Sequence, residues 1–140
     1  ELYETYSLKP FQTILKAVDY KPMILHICGD TTHLVEKMAQ SGAQGLSLDS
    51  VVDFEKIIRK IPSEMELIGN LDPVDVFLNG DNEKVAAATK CLKDKMQKHD
   101  NFVMGTGCDL PLETPLDNVH AFMKSAREEH GPSDHDDGKK

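Results

Sequence analysis

Four short apolar runs, each followed by a stretch of helical periodicity, predict an α/β fold with a parallel sheet, and four such units make half of an eight-stranded β/α barrel. Two further observations support that reading. Every run stops at Gly, Asp or Asn, as strands do. No glycine-rich phosphate loop follows any of them, although the rival flat, doubly wound sheet would favour one.

Residues 1–18 form an amphipathic helix by their spacing, and the first strand is expected over residues 22–28, ended by Gly29 and Asp30. Thr31 or Thr32 then caps a helix with Leu34, Val35, Met38 and Ala39 on one stripe and Gly42 at its end. The second strand covers residues 45–49. Ser50 is the expected cap of the next helix, whose Val51, Val52, Phe54, Ile57, Ile58 and Ile61 recur at helical spacing before Pro62. The third strand covers residues 66–70, with Asp72-Pro73 as a turn or helix start beyond it. Asp81 opens a long helix through Val85, Ala88, Leu92 and Met96. The fourth strand covers residues 101–105. Thr114, followed by Pro115 and Asp117, starts a last helix running through Val119, Phe122 and Met123 to Gly131. Residues 1–131 thus read as one barrel half, and residues 132–140 as a polar, flexible tail. The chain starts at Glu1 inside a helix-like segment, so it reads as a fragment.

Composition narrows the function. With 140 residues, of which 39% are apolar, there is material for one core. A formal charge of −8 makes general nucleic-acid binding a poor fit, because phosphate contacts need clustered Lys and Arg. No apolar run approaches the roughly 20 residues that span a membrane, and no signal peptide is visible. Three cysteines, an odd number, argue against a disulfide framework and for a reducing, cytosolic setting.

Catalytic groups in β/α barrels gather where strands give way to loops. Those ends carry His26, Cys28 and Asp30, then Asp49, then Asn70 and Asp72, then Cys108 and Asp109. His26 and Cys28 are two apart on one strand, so they share a face, with α-carbons roughly 7 Å apart. Leu25 and Ile27 then face the outer helices. Cys108, just past the fourth strand, converges on the same mouth. One imidazole and two thiolates make a catalytic zinc set with the fourth position open. Asp49 could fill that position when no substrate is bound. The plain alternatives are that both cysteines simply pack and that His26 is a hydrogen-bonded core histidine. Cys91, in mid-helix, is expected to pack. His33, His99 and His120 are expected to face solvent, and His130 and His135 belong to the tail.

Three segments then carry a family resemblance: Ile24-Leu25-His26-Ile27-Cys28-Gly29-Asp30, Ile68-Gly69-Asn70-Leu71-Asp72-Pro73, and Gly105-Thr106-Gly107-Cys108-Asp109-Leu110-Pro111 with Thr114-Pro115-Leu116-Asp117-Asn118. In this order they resemble the uroporphyrinogen decarboxylase superfamily, and most closely its corrinoid-dependent branch, the methylcobamide:coenzyme M methyltransferases. The resemblance implies a (β/α)8 TIM-type barrel of which this chain supplies the carboxyl-terminal half. It implies Zn2+ held by His26, Cys28 and Cys108. It also implies transfer of a methyl group from a methylcobamide on a partner corrinoid protein to a thiol such as coenzyme M. Asn70 and Asp72 are then candidates for contacting thiol or corrinoid. Zinc would convert a thiol that is only a few per cent ionised at neutral pH into thiolate, a gain of roughly 30-fold or about 2 kcal/mol.

No cobalamin-binding segment is expected within the chain. The tail has His135 and Gly138 at the spacing of an Asp-x-His-x-x-Gly motif, but Ser133 stands in the Asp position. An isolated half barrel leaves sheet edges and its inner face uncovered, so it should pair with the missing amino-terminal half or with a second copy of itself. Two other functions fit parts of the pattern. One is a metal-free decarboxylase-like enzyme of the same superfamily, and the other is a non-catalytic half-barrel assembly module.

Overall fold

The computed structural model describes residues 1–18 and 22–128. A π-helical turn, Glu4–Leu8, leads into α1, Lys9–Ala17. Strand β1, Ile24–Ile27, is followed by a 3₁₀ turn and α2, Val35–Met38. Strand β2, Gly45–Leu48, leads to α3, Phe54–Ile57, which tightens into a 3₁₀ turn over Ile58–Lys60. Strand β3, Glu66–Leu71, is followed by a π-helical segment, Pro73–Leu78, and by α4, Asn82–Met96. Strand β4, Phe102–Thr106, and α5, Leu116–Arg127, complete the described chain. The expected tail, 132–140, lies outside the described residues, as do His130 and His135.

The sheet is parallel throughout, in the order β1-β2-β3-β4. Its register aligns Leu25, Leu46, Leu67 and Phe102 across all four strands. Side chains alternate along a strand, so this row and those two residues on share one face. That face is the apolar one: Leu46, Leu48 and Leu67 are fully buried against Val35 and Met38 of α2 and Phe54 and Ile57 of α3. A second cluster of Leu71, Val76, Phe77 and Val85 sits under α4 and α5, with the Phe77 and Phe122 rings edge to face at 5.4 Å. Asn118, 3% exposed, joins α5 to the segment before α4. Its Nδ2 donates to the carbonyls of Phe77 and Gly80, each at 2.8 Å.

The opposite face carries Ile24, His26, Ser47, Ile68, Asn70 and Val103. Ile24 and Val103 are exposed at 52% and 42%, values that fit a sheet whose inner face is not covered by the described residues.

Five helix details differ from expectation. Neither Thr31 nor Thr32 caps α2; the carboxylate of Asp30 takes the Thr32 amide at 3.1 Å and turns the chain. Ser50 does not cap α3, which begins only at Phe54, because its hydroxyl donates to the carboxylates of Asp49 and Asp72 instead. The extended backbone of Pro115 delays α5 to Leu116, and the Thr114 hydroxyl is buried without a partner among the described residues. The helix stops at Arg127, short of Gly131. Cys91 is exposed rather than packed, because α4 turns Val85, Thr89, Leu92 and Met96 inward and Cys91 falls off that stripe.

Candidate metal centre

Strand β1 alternates between faces, with Leu25 and Ile27 half-buried toward the helices and His26 exposed on the other side. Cys28 continues the His26 face one step beyond the strand. Gly29, at a φ of +80°, then turns the chain away, a conformation that glycine adopts without the cost a β-carbon brings. On the far side of the mouth, β4 ends at Thr106 and the loop delivers Cys108.

The three side chains meet. The Nε2 of His26 lies 3.2 Å from the Cys28 sulfur, the two sulfurs lie 3.2 Å apart, and Nε2 lies 3.8 Å from the Cys108 sulfur. Among the described residues, this is the one group of three His, Cys or acidic side chains able to close on a metal ion, with all ligand atoms within 4.8 Å of one another. The fit is chemical as well as geometric. Zinc–ligand bonds of about 2.0–2.3 Å in tetrahedral geometry separate neighbouring donors by roughly 3.3–3.8 Å. The Cys108 thiol pushes the Cys28 thiol above its ordinary range by their hydrogen bond, and some desolvation and the charges of Cys108, Asp49 and Asp109 add to the shift.

The end of β2 frames the site. Ser47 faces His26 across the β1–β2 register, and its Oγ lies 2.9 Å from His26 Nδ1. The Oδ2 of Asp49 accepts the Gly29 amide at 2.7 Å, while Oδ1 accepts from the Ser50 hydroxyl and the Val51 amide. The Gly29 amide is the main reason the Asp49 carboxyl is held below the usual range. Gly107, next to Cys108, packs directly on the Asp49–Ser50 backbone. A β-carbon there would come within 3.0 Å of the Asp49 carbonyl carbon and closer still to the Ser50 nitrogen.

The other predicted residues take different places. Asn70 spends its amide on the β2–α3 corner, donating to the carbonyls of Asp49 at 3.0 Å and Val52 at 2.6 Å. Asp72 caps the segment behind Pro73, accepting the amides of Val74 at 2.8 Å and Asp75 at 2.7 Å. His33 and His120 are exposed, as expected, and His99 is half-buried. Two residues escaped the sequence reading. Ser47 looked like an ordinary strand residue, although His26 and Ser47 are each the third residue of their strand, and aligning strand starts would have paired them. Gly107 looked like turn punctuation; nothing local in its sequence marks the distant backbone it packs on.

A parallel β/α sheet with one imidazole and two thiols at its carboxyl-terminal mouth defines a barrel-type chain with a soft, three-donor site. The chain belongs to the uroporphyrinogen decarboxylase (URO-D) family, whose sequence model matches residues 1–129. It is 33% identical over 129 residues to a methylated-thiol–coenzyme M methyltransferase of Methanosarcina mazei, an alignment covering 91% of this chain and 33% of that protein. It is also 33% identical over 129 residues to the methylcobamide:CoM methyltransferase MtbA of Methanosarcina acetivorans, covering 91% and 37%. A solved methyltransferase from Methanosarcina mazei superposes with a TM-score of 0.77 at 26% identity, over 89% of this chain and 36% of that one. The fold is therefore part of a TIM-type barrel, and the chain spans about a third of the length of these relatives. Among the described residues, no helix is long and apolar enough to cross a membrane.

Proposed function

We propose that this chain carries the zinc-binding mouth of a methyltransferase that moves a methyl group from a methylated corrinoid, held on a partner protein, to a small thiol such as coenzyme M. The convergence of His26, Cys28 and Cys108 on one point, at the strand ends of a methyltransferase-like half barrel, carries the reading. A metal-free decarboxylase-like role leaves that meeting of soft donors without a purpose.

When bound, zinc would supply the Lewis acidity that stabilises a thiolate at neutral pH. The chain's own part is to hold the ion and shape the approach. His26 would hold it through Nε2, and Cys28 and Cys108 through sulfur after losing their protons. Two thiolates would balance the ion's charge and keep the donor set electron-rich. Asp49, whose carboxylate accepts the Gly29 amide, would be the residue to cover the ion in the absence of substrate once that bond is released. Asn70 and Asp72 frame the lip along which thiol or corrinoid would lie. The uncovered sheet face and the free edges of β1 and β4 are to be closed by the remaining strands of the barrel, from an amino-terminal half or from a second copy. A soluble chain of this kind would work in the cytoplasm.

The test is methyl transfer from a methylated corrinoid protein to coenzyme M by the chain combined with an amino-terminal half from an active relative. Zinc-dependent demethylation of the corrinoid supports the proposal. A reconstituted, zinc-loaded barrel that leaves the corrinoid methylated under conditions where the intact relative turns over contradicts it.

A further inference from the structure

A histidine ring offers two nitrogens, and a ligand needs the right one bare and pointed at the metal. Rotation about the bond to the ring is soft, so the strand alone does not choose the orientation. In this protein the choice is made by a neighbour. Ser47 stands opposite His26 in the parallel register, on the same face, with Oγ 2.9 Å from Nδ1. The other ring nitrogen, Nε2, then points at the sulfurs of Cys28 and Cys108, 3.2 and 3.8 Å away. Turning the ring over would move carbon into both positions and forfeit both contacts. Because Leu46 and Leu48 are fully buried on the helix side, β2 cannot slip to withdraw Ser47 without exposing them.

We propose that Ser47 is a positioning residue of the metal centre: its hydroxyl oxygen accepts the Nδ1–H of His26 and thereby keeps Nε2 unprotonated and facing the two sulfurs. The inference rests on the metal-centre reading above and adds the residue that organises it. Partners of this kind typically change metal affinity by about 10- to 100-fold.

Thr and Val have the same shape and differ by a hydroxyl, so Ser47→Thr and Ser47→Val separate the hydrogen bond from packing. Zinc affinity of each purified chain is measured by competition with a chromophoric chelator, with zinc as the only probe. Ser47→Thr should bind within about 3-fold of wild type, and Ser47→Val about 10- to 100-fold more weakly. In parallel, nitrogen chemical shifts of the His26 ring in the metal-free protein should show Nδ1 protonated in wild type and Ser47→Thr, and a tautomer mixture in Ser47→Val. Equal zinc affinity in the two variants, with equal tautomers, overturns the role of Ser47 and leaves the metal centre standing. A folded wild type that binds no zinc removes the metal centre, and with it this role, whatever the ring's tautomer.

Discussion

Replacing Gly107 by alanine adds a single methyl group at a residue that is not itself a ligand, yet it should disable the metal centre. The β-carbon would sit 3.0 Å from the Asp49 carbonyl carbon and the Ser50 α-carbon and nearer still to the Ser50 nitrogen, whereas ordinary contacts begin at 3.4 Å. These neighbours are backbone, anchored by Asn70 through the Asp49 and Val52 carbonyls, so they cannot rotate aside. The loop must instead lift by something on the order of 1 Å, at a cost of about 1–3 kcal/mol typical of overpacking. Cys108 is the next residue and rides on that loop. Metal–ligand distances tolerate only about 0.2 Å, so the displaced sulfur leaves the shell. Gly105→Ala is the matched control, because its β-carbon meets nothing nearer than 3.7 Å. Zinc affinity, read by chelator competition with far-ultraviolet circular dichroism to confirm the fold, should fall at least about 10-fold in Gly107→Ala and stay near wild type in Gly105→Ala. Wild-type affinity in Gly107→Ala would refute the claim that the β2–α3 corner positions Cys108.

Two other perturbations probe the frame. Asn118→Ala strips the partner from two carbonyls beneath α5 and should cost about 1–3 kcal/mol in urea unfolding while leaving zinc affinity unchanged; Asn118→Asp, which sets acceptors against acceptors, should cost more. Acid should also loosen the metal-free protein. The Thr32 hydroxyl and amide hold Asp30 below the usual carboxylate range, the Gly29 amide does so for Asp49, and the Lys56 side chain does so for Asp53. Carboxyls whose folded pKa is depressed contribute stability that is complete above the unfolded value and lost as pH falls through the folded one. The urea midpoint should therefore hold steady above about pH 5 and decline below about pH 4, with a shallower decline in Asp49→Ala. A midpoint that is flat from pH 6 to 3 contradicts the assignment.

The strands were legible because a parallel strand needs only a short apolar run and a stop. Residues 45–49 and 66–70 each end within one residue of β2 and β3. Asp81 was legible as a cap because its target amide, that of Lys84, is three residues away. The misread caps failed for different reasons. Ser50 and Thr114 carry the right chemistry, but Ser50 spends its hydroxyl on Asp49 and on Asp72, a partner 22 residues away, and no local pattern reports that. The three soft donors were visible through strand alternation and strand-end placement. The residues that hold them in place were not, since Ser47 acts across a register and Gly107 acts through a space that its own sequence neighbours do not mark.

The central claim is that His26, Cys28 and Cys108 bind one metal ion, and metal content tests it most directly. Mass-spectrometric analysis of the purified chain, wild type beside Cys28→Ser and Cys108→Ser, should find about one zinc per chain in wild type and near none in either variant, each having lost one of three protein ligands. Zinc retained at wild-type stoichiometry in either folded variant would contradict it.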